Sequence, residues 1–236
     1  MIEVRPFNSL GKFSNDWLAA NYHFSFSGYE DRNRIHWGAL RVWNDDAIQP
    51  KTGFSPHSHA DMEIITYVRE GAITHEDSMG NRGRTEAGDV QVMSAGAGVT
   101  HAEYNLEDDV TRLFQIWILP KTRGGKPYWG AAKFPKGDRA GKFVPLASGF
   151  EDDQAGGALP IRQDARVLGA TVKAGETTDY ALGAGRHAYL VIAKGEATVN
   201  GQRLGERDGA ALTDIDAITV EAHADAEIVL VDAPGI

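Results

Sequence analysis

HSHADMEIITYVREGAITHEDSMGNRGRTEAGDVQVMSAGAGVTHAE, residues 57–103, decides how this chain is read. It opens on His57-Ser58-His59, carries Glu63 soon after, and closes on His101-Ala102-Glu103. Between the two ends lie short apolar runs broken by Gly71, Gly80, Gly88, Gly96 and Gly98. Such runs between turn residues read as β-strands. Side chains alternate faces along a strand, so residues two apart point the same way with Cα atoms roughly 7 Å apart. Two facing pairs of this kind, one His/His and one His/Glu, could close three imidazoles and a carboxylate around one divalent metal. A lone His-x-His pair says little. The paired spacings and the Pro56 and Gly53 that lead into the first pair say more.

The pattern continues outward. EIITYVR (63–69), Val90 to Met93, LFQIWIL (113–119), AYLVI (188–192) and Ile228 to Val231 are further apolar or alternating runs. Met79-Gly80-Asn81 and Asn200-Gly201 are hairpin turns. Asn15 to Ala20 reads as a short helical turn, and the acidic runs Glu107 to Asp109 and Glu151 to Asp153 as solvated loops. The fold class is therefore all-β. From Pro120 to Gly149 the alternation lapses into a basic, Gly- and Pro-rich stretch, read as a connector. Beyond it the first unit is echoed: Glu63-IITYVRE-Gly71 parallels His187-AYLVIAK-Gly195. The His-x-His pair is not repeated there, so the expected organisation is a metal-binding unit at 1–122, a connector at 123–145 and a metal-free unit at 146–236.

Composition narrows the function. The chain has 236 residues, 42% hydrophobic and 24% charged, with a net charge of -9. That acidity argues against nucleic acid or an anionic membrane as partner. There is no Cys, which excludes thiolate ligands and leaves imidazole and carboxylate chemistry for any metal. No secretory signal or apolar run of membrane-spanning length is visible, so a cytoplasmic location is expected.

These motifs resemble the cupin superfamily and, more closely, the pirin family. ITYVREGAITHEDSMGN and DVQVMSAGAGVTHAE are the most specific pieces, with LFQIWILP downstream. The resemblance is strong over roughly residues 35–120 and weaker beyond. It implies a bicupin, two tandem jelly-roll-like cupin β-barrels with one metal in the first. By position the metal ligands fall on His57, His59, His101 and Glu103, usually around Fe(2+), with Zn, Ni, Mn or Cu as alternatives. Some relatives cleave the flavonol ring as quercetin 2,3-dioxygenases, taking a flavonol-like substrate and O2. Others are non-catalytic, redox-sensitive regulators that bind a protein partner. The expected working unit is a monomer.

Two departures matter. Gly96 stands where general cupins have proline. General cupins also use the first-motif glutamate, here Glu63, as ligand, whereas pirins use the position of Glu103. Strand parity allows either; the pirin pattern favours Glu103, with Glu63 as a supporting carboxylate. Glu103 is then the candidate catalytic base, and Glu63 its substitute. His75 reads as a supporting residue, His23 and His36 as half-buried strand residues, and Trp37, Trp43, Phe114 and Trp117 as core or pocket wall.

Overall fold

In the computed structural model, which describes residues 1–236, the chain forms four antiparallel-rich sheets arranged as two sandwiches. The first pairs a seven-stranded sheet with a four-stranded one. The larger runs, in spatial order, Tyr128–Ala132, Val90–Ser94, Glu63–Glu70, Thr111–Ile118, Leu40–Ile48, Leu18–Tyr22 and Gly11–Ser14. The smaller runs Thr52–His59, Val99–Asn105, Ala72–Asp77 and Arg82–Glu86. The second sandwich repeats the scheme, with seven strands around Arg186–Lys194 and four around Ala217–Ala222. The all-β, two-unit bicupin architecture expected from sequence is what forms, as open sandwiches rather than closed barrels. No helix is long and apolar enough to cross a membrane.

Alternation decides what each strand face meets. In Glu63–Glu70, Ile65 and Tyr67 face the other unit; in Arg186–Lys194, Tyr189 and Val191 face back. With Trp43, Phe114, Ile116, Val229 and Val231 they make a 24-residue apolar core between the two large sheets. The opposite face of each large sheet covers its own small sheet. In the second unit that interior is one aliphatic cluster of 18 residues, including Leu190, Ile192, Val199 and Leu230. In the first unit it is divided into clusters of seven and four. The gap between those two clusters holds buried polar side chains instead: Thr66, His75, Gln91, His101, Glu103 and Gln115. Buried polar groups persist only where they find partners, so the division marks the site.

Asn200 and Gly201 both take positive φ (45° and 83°), as a two-residue hairpin turn demands. Asn15 to Ala20 is not helical: the Asn15 side-chain oxygen accepts from the backbone N–H of Trp17 and Leu18, a turn that launches strand Leu18–Tyr22. Glu151 to Asp153 is not a loop but the first turn of helix Glu151–Ala155. Three carboxylates suit that end of a helix, and Asp153 additionally accepts from Ser148 and Arg166.

Two segments cross the boundaries expected from sequence. Strand Ile2–Arg5 pairs with Gly209–Thr213 at the edge of the second unit's large sheet. Tyr128–Ala132, inside the expected connector, pairs with Val90–Ser94 as an edge of the first. The units are further joined by ion pairs. Asp45, fully buried, binds Arg69 at 2.7 Å and Arg207 of the second unit at 2.5 Å.

Candidate metal centre

Strands Thr52–His59 and Val99–Asn105 are antiparallel neighbours, with His101 directly opposite His57 and Val99 opposite His59. The register then shifts: Glu103 lies opposite Phe54, so the first strand carries one extra residue near Ser55 and Pro56. Proline offers no N–H to the ladder and is at home in such a bulge. The result is a tight imidazole cluster. Ring centroids of His57, His59 and His101 lie 4.5 to 5.0 Å apart, and their ligand atoms all lie within 4.8 Å of one another.

The nitrogens are already sorted. His57 Nδ1 is 2.8 Å from the Ser55 carbonyl, which can only accept, so that nitrogen carries the hydrogen and Nε2 keeps its lone pair. His101 Nε2 faces His57 Nε2 at 3.1 Å. Two ligands about 2.1 Å from one ion and at right angles to each other sit about 3 Å apart. The separation therefore fits one ion bound by both. Burial and the neighbouring histidines push His101 down to about 3, and burial with His57 pushes His59 down to about 4. Both rings are neutral at ordinary pH, as metal ligation requires.

Glu103 is 3% exposed and lies with His101 and His75 in a second group of close ligand atoms. The structure thus brings His57, His59 and His101 together and sets Glu103 beside His101. Gln91 donates to one Glu103 oxygen at 2.6 Å and Gln115 to the other at 2.8 Å. The amides cannot turn freely: Trp117 Nε1 donates to the Gln115 oxygen at 3.1 Å, and Thr85 to the Gln91 oxygen at 3.2 Å. Burial pushes the Glu103 carboxyl up to about 7, although hydrogen bonds from Gln115, Thr66 and Gln91 pull the other way.

Glu63 is not brought to the cluster. Parity holds along one strand, but the chain leaves the small sheet after His59, turns at Asp61 (φ 51°) and enters the large sheet at Glu63. There Glu63 shares the face of Ile65 and Tyr67, toward the second unit. It accepts from the Ser94 hydroxyl and, at 3.1 Å, from the Arg162 backbone N–H. Burial raises its pKa, against those two hydrogen bonds.

His75 is fully buried behind His101, with Nδ1 3.4 Å from His101 Nδ1 and Nε2 2.9 Å from Asp77. Its ring stacks on Trp129 at 4.9 Å and 8°. Burial pushes Asp77 up, but hydrogen bonds from His75, Asn81 and Met79 outweigh it and hold the carboxylate below its usual range. On the open side, His57 and His59 are half-buried. Trp117 lies edge-on to His59 at 5.0 Å, Phe26 edge-on to Trp117 at 5.4 Å, and Phe54 beside His57 at 6.3 Å. Trp117 is thus pocket wall, while Trp43 and Phe114 are core. His23 is wholly buried, not half-buried.

Sequence reading missed Gln91, Gln115, Asp77 and Trp129. The signal for the first two was a lone amide inside an apolar run, as in LFQIWIL. His75-Glu76-Asp77 carried the same two-residue spacing as the ligand pairs. Nothing local marked Trp129.

This chain resembles known proteins along nearly its whole length. The pirin family model matches residues 3–118, and that of the quercetinase C-terminal cupin domain matches 146–233. A pirin-like protein of Caulobacter vibrioides is 66% identical over 233 residues, covering 99% of this chain and 100% of the relative. Quercetin 2,3-dioxygenase of Escherichia coli is 38% identical over 237 residues, covering 100% of both. Among solved structures, a bacterial pirin from Escherichia coli in complex with nickel(II) superposes with a TM-score of 0.93 at 36% identity, covering 100% of both chains.

Proposed function

The chain belongs to the pirin family, and on that premise we propose that it is a metal-dependent dioxygenase that opens the ring of a flavonol or related enol with O2. The observation that carries this reading is the convergence of His57 and His101 Nε2 atoms beside His59, each Nδ1 of the facing pair already engaged elsewhere. His57, His59, His101 and Glu103 would hold the ion. Imidazoles with one carboxylate suit Fe(2+), and leave about two of six coordination positions open. Zn, Ni, Mn and Cu are the competitors that metal analysis separates. The ion supplies Lewis-acid charge and a common template for substrate and O2.

The chain's own residues do the rest. Glu103, sharing or leaving the ion, takes the proton of the substrate's enol hydroxyl onto its carboxylate. Gln91 and Gln115 keep the carboxylate aimed while it does so. Trp117, Phe26 and Phe54 offer flat apolar faces at the half-open mouth, which suits an aromatic substrate. The second unit, its interior filled with aliphatic side chains, buttresses the first.

The test is aerobic incubation of the iron-loaded protein with quercetin. Loss of flavonol absorbance with O2 uptake and carbon monoxide release is expected, and His59→Ala should abolish bound metal and turnover together. Turnover by metal-free protein would refute the scheme. A metal-loaded protein that consumes no O2 across a flavonol panel would favour the regulatory, protein-binding role known in other pirins.

A further inference from the structure

Resting on the metal site proposed above, we propose that Asp77 and His75 form a one-way hydrogen-bond relay that holds His101 in its metal-ligating tautomer. Asp77 is thereby a positioning residue for the metal, two side chains removed from it.

The direction of the relay follows from what each atom can offer. The Asp77 carboxylate has no hydrogen to give, so His75 Nε2, 2.9 Å away, must carry one. A neutral imidazole has a single N–H, which leaves His75 Nδ1 with a lone pair. That lone pair faces His101 Nδ1 at 3.4 Å, the one hydrogen-bond partner of that nitrogen. His101 therefore carries its hydrogen on Nδ1 and presents a bare Nε2 to His57. His57 reaches the same state by a shorter route, through the Ser55 carbonyl. Ligating histidines commonly use a carboxylate or carbonyl for this purpose; here a second imidazole carries the effect of a carboxylate across the sheet.

The relay is also rigid. Asp77 Oδ1 accepts from the backbone N–H of Met79 at 2.9 Å and of Asn81 at 3.1 Å, and Asn81 Nδ2 donates to Oδ2 at 2.9 Å. His75 is pinned flat against Trp129, supplied by the edge strand Tyr128–Ala132. Register does the rest: His101 pairs with Asp77, and Glu103 with His75, across the same two strands.

A single-atom change should reverse the polarity. In Asp77→Asn the remaining oxygen stays on the two backbone donors, which cannot change sign, and the new amide N–H₂ turns to His75. His75 Nε2 must then accept, its Nδ1 donates, and His101 Nδ1 accepts in turn. The hydrogen of His101 is driven onto Nε2, the atom the metal needs.

Two readouts on the full chain test this. Imidazole nitrogen NMR of isotope-labelled, metal-free protein should show His101 protonated at Nδ1 in the wild type and at Nε2 in Asp77→Asn. Nickel(II) affinity, measured by chelator competition, should weaken by about 10–100-fold in Asp77→Asn. The neighbouring surface change Glu76→Gln should leave both readouts alone. His75→Leu, which removes the relay but keeps the carboxylate, should give mixed His101 tautomers and intermediate affinity. Asp77→Asn with His101 still protonated at Nδ1 and wild-type affinity overturns the relay. Should His59→Ala bind nickel(II) as well as the wild type does, the metal site itself falls; should His59→Ala lose it while Asp77→Asn does not, only the relay falls.

Discussion

Replacing Gln115 by Met removes one of the two amide donors on Glu103 while nearly keeping the side chain's volume. A hydrogen bond to a charged group is worth about 1.5–3 kcal/mol, which corresponds to about 1–2 pKa units. Burial already raises Glu103 to about 7 in the metal-free protein, and losing Gln115 raises it further. Metal and proton then compete for the same carboxylate. Above both pKa values the carboxylate is ionised in either protein, and the missing hydrogen bond weakens the bound and free states alike. Below them the variant must surrender a more tightly held proton. Nickel(II) affinity should therefore be about 10–100-fold weaker in Gln115→Met at pH 6 and about equal to wild type at pH 9. His59 and His101, held at about 4 and 3, add no proton competition of their own in that range. Chelator-buffered titrations at several pH values provide the measurement. A ratio of dissociation constants that stays flat with pH would refute the reasoning, because it would mean that Gln115 acts on packing and not on the Glu103 proton.

Other outcomes follow from the same structure. Asp45→Ala leaves Arg69 and Arg207 without their shared carboxylate, and should cost about 3–5 kcal/mol as a broken buried ion pair does; urea unfolding at fixed metal content reads it, and a loss under about 1 kcal/mol would be the wrong result. Arg207→Ala, at the more exposed partner, should cost less, about 1.5–3 kcal/mol. His23 is buried, and burial followed by Arg5, Arg34, Arg207 and Arg69 holds its pKa far below 6.5. Its neutral form therefore contributes stability in full above pH 6.5, and that contribution is lost as pH falls from there. His23→Asn should flatten the acid side of the stability profile of metal-free protein, by up to about 1.4 kcal/mol per pH unit. Equal slopes between pH 6.5 and 5 would dispose of that assignment.

Much of the fold was legible because it is written in runs. EIITYVR and LFQIWIL became central strands, Asn200-Gly201 took the positive φ that its two-residue hairpin needs, and the echo between residues 63–71 and 187–195 placed both strands at the same position in their sheets. The three clustered histidines were legible for the same reason, since two-residue spacing survives any register that keeps the strands intact. What escaped depended on where a strand goes next. Glu63 shares parity with His57 and His59 on paper, yet the turn at Asp61 moves the chain to another sheet and reverses its face. Asn15 folded its side chain onto its own backbone, which extends the chain instead of winding it. Trp129, which pins His75, arrives from a Gly- and Pro-rich segment with no strand signal, and its pairing with Val90–Ser94 is purely tertiary. Gln91 and Gln115 look like blemishes in apolar strands until their amides are seen to meet on one carboxylate.

The strand Ile2–Arg5, registered against Gly209–Thr213, has a bearing on biogenesis. A segment made early must wait, unpaired, until nearly the whole chain has left the ribosome, so the second sheet completes last whatever the first unit has already achieved. Until it docks, Gly209–Thr213 presents a bare row of N–H and C=O groups to other molecules. An affinity tag that hinders Ile2–Arg5 would then disturb the distant half of the molecule and invite aggregation, leaving the histidine cluster intact in whatever folded protein survived.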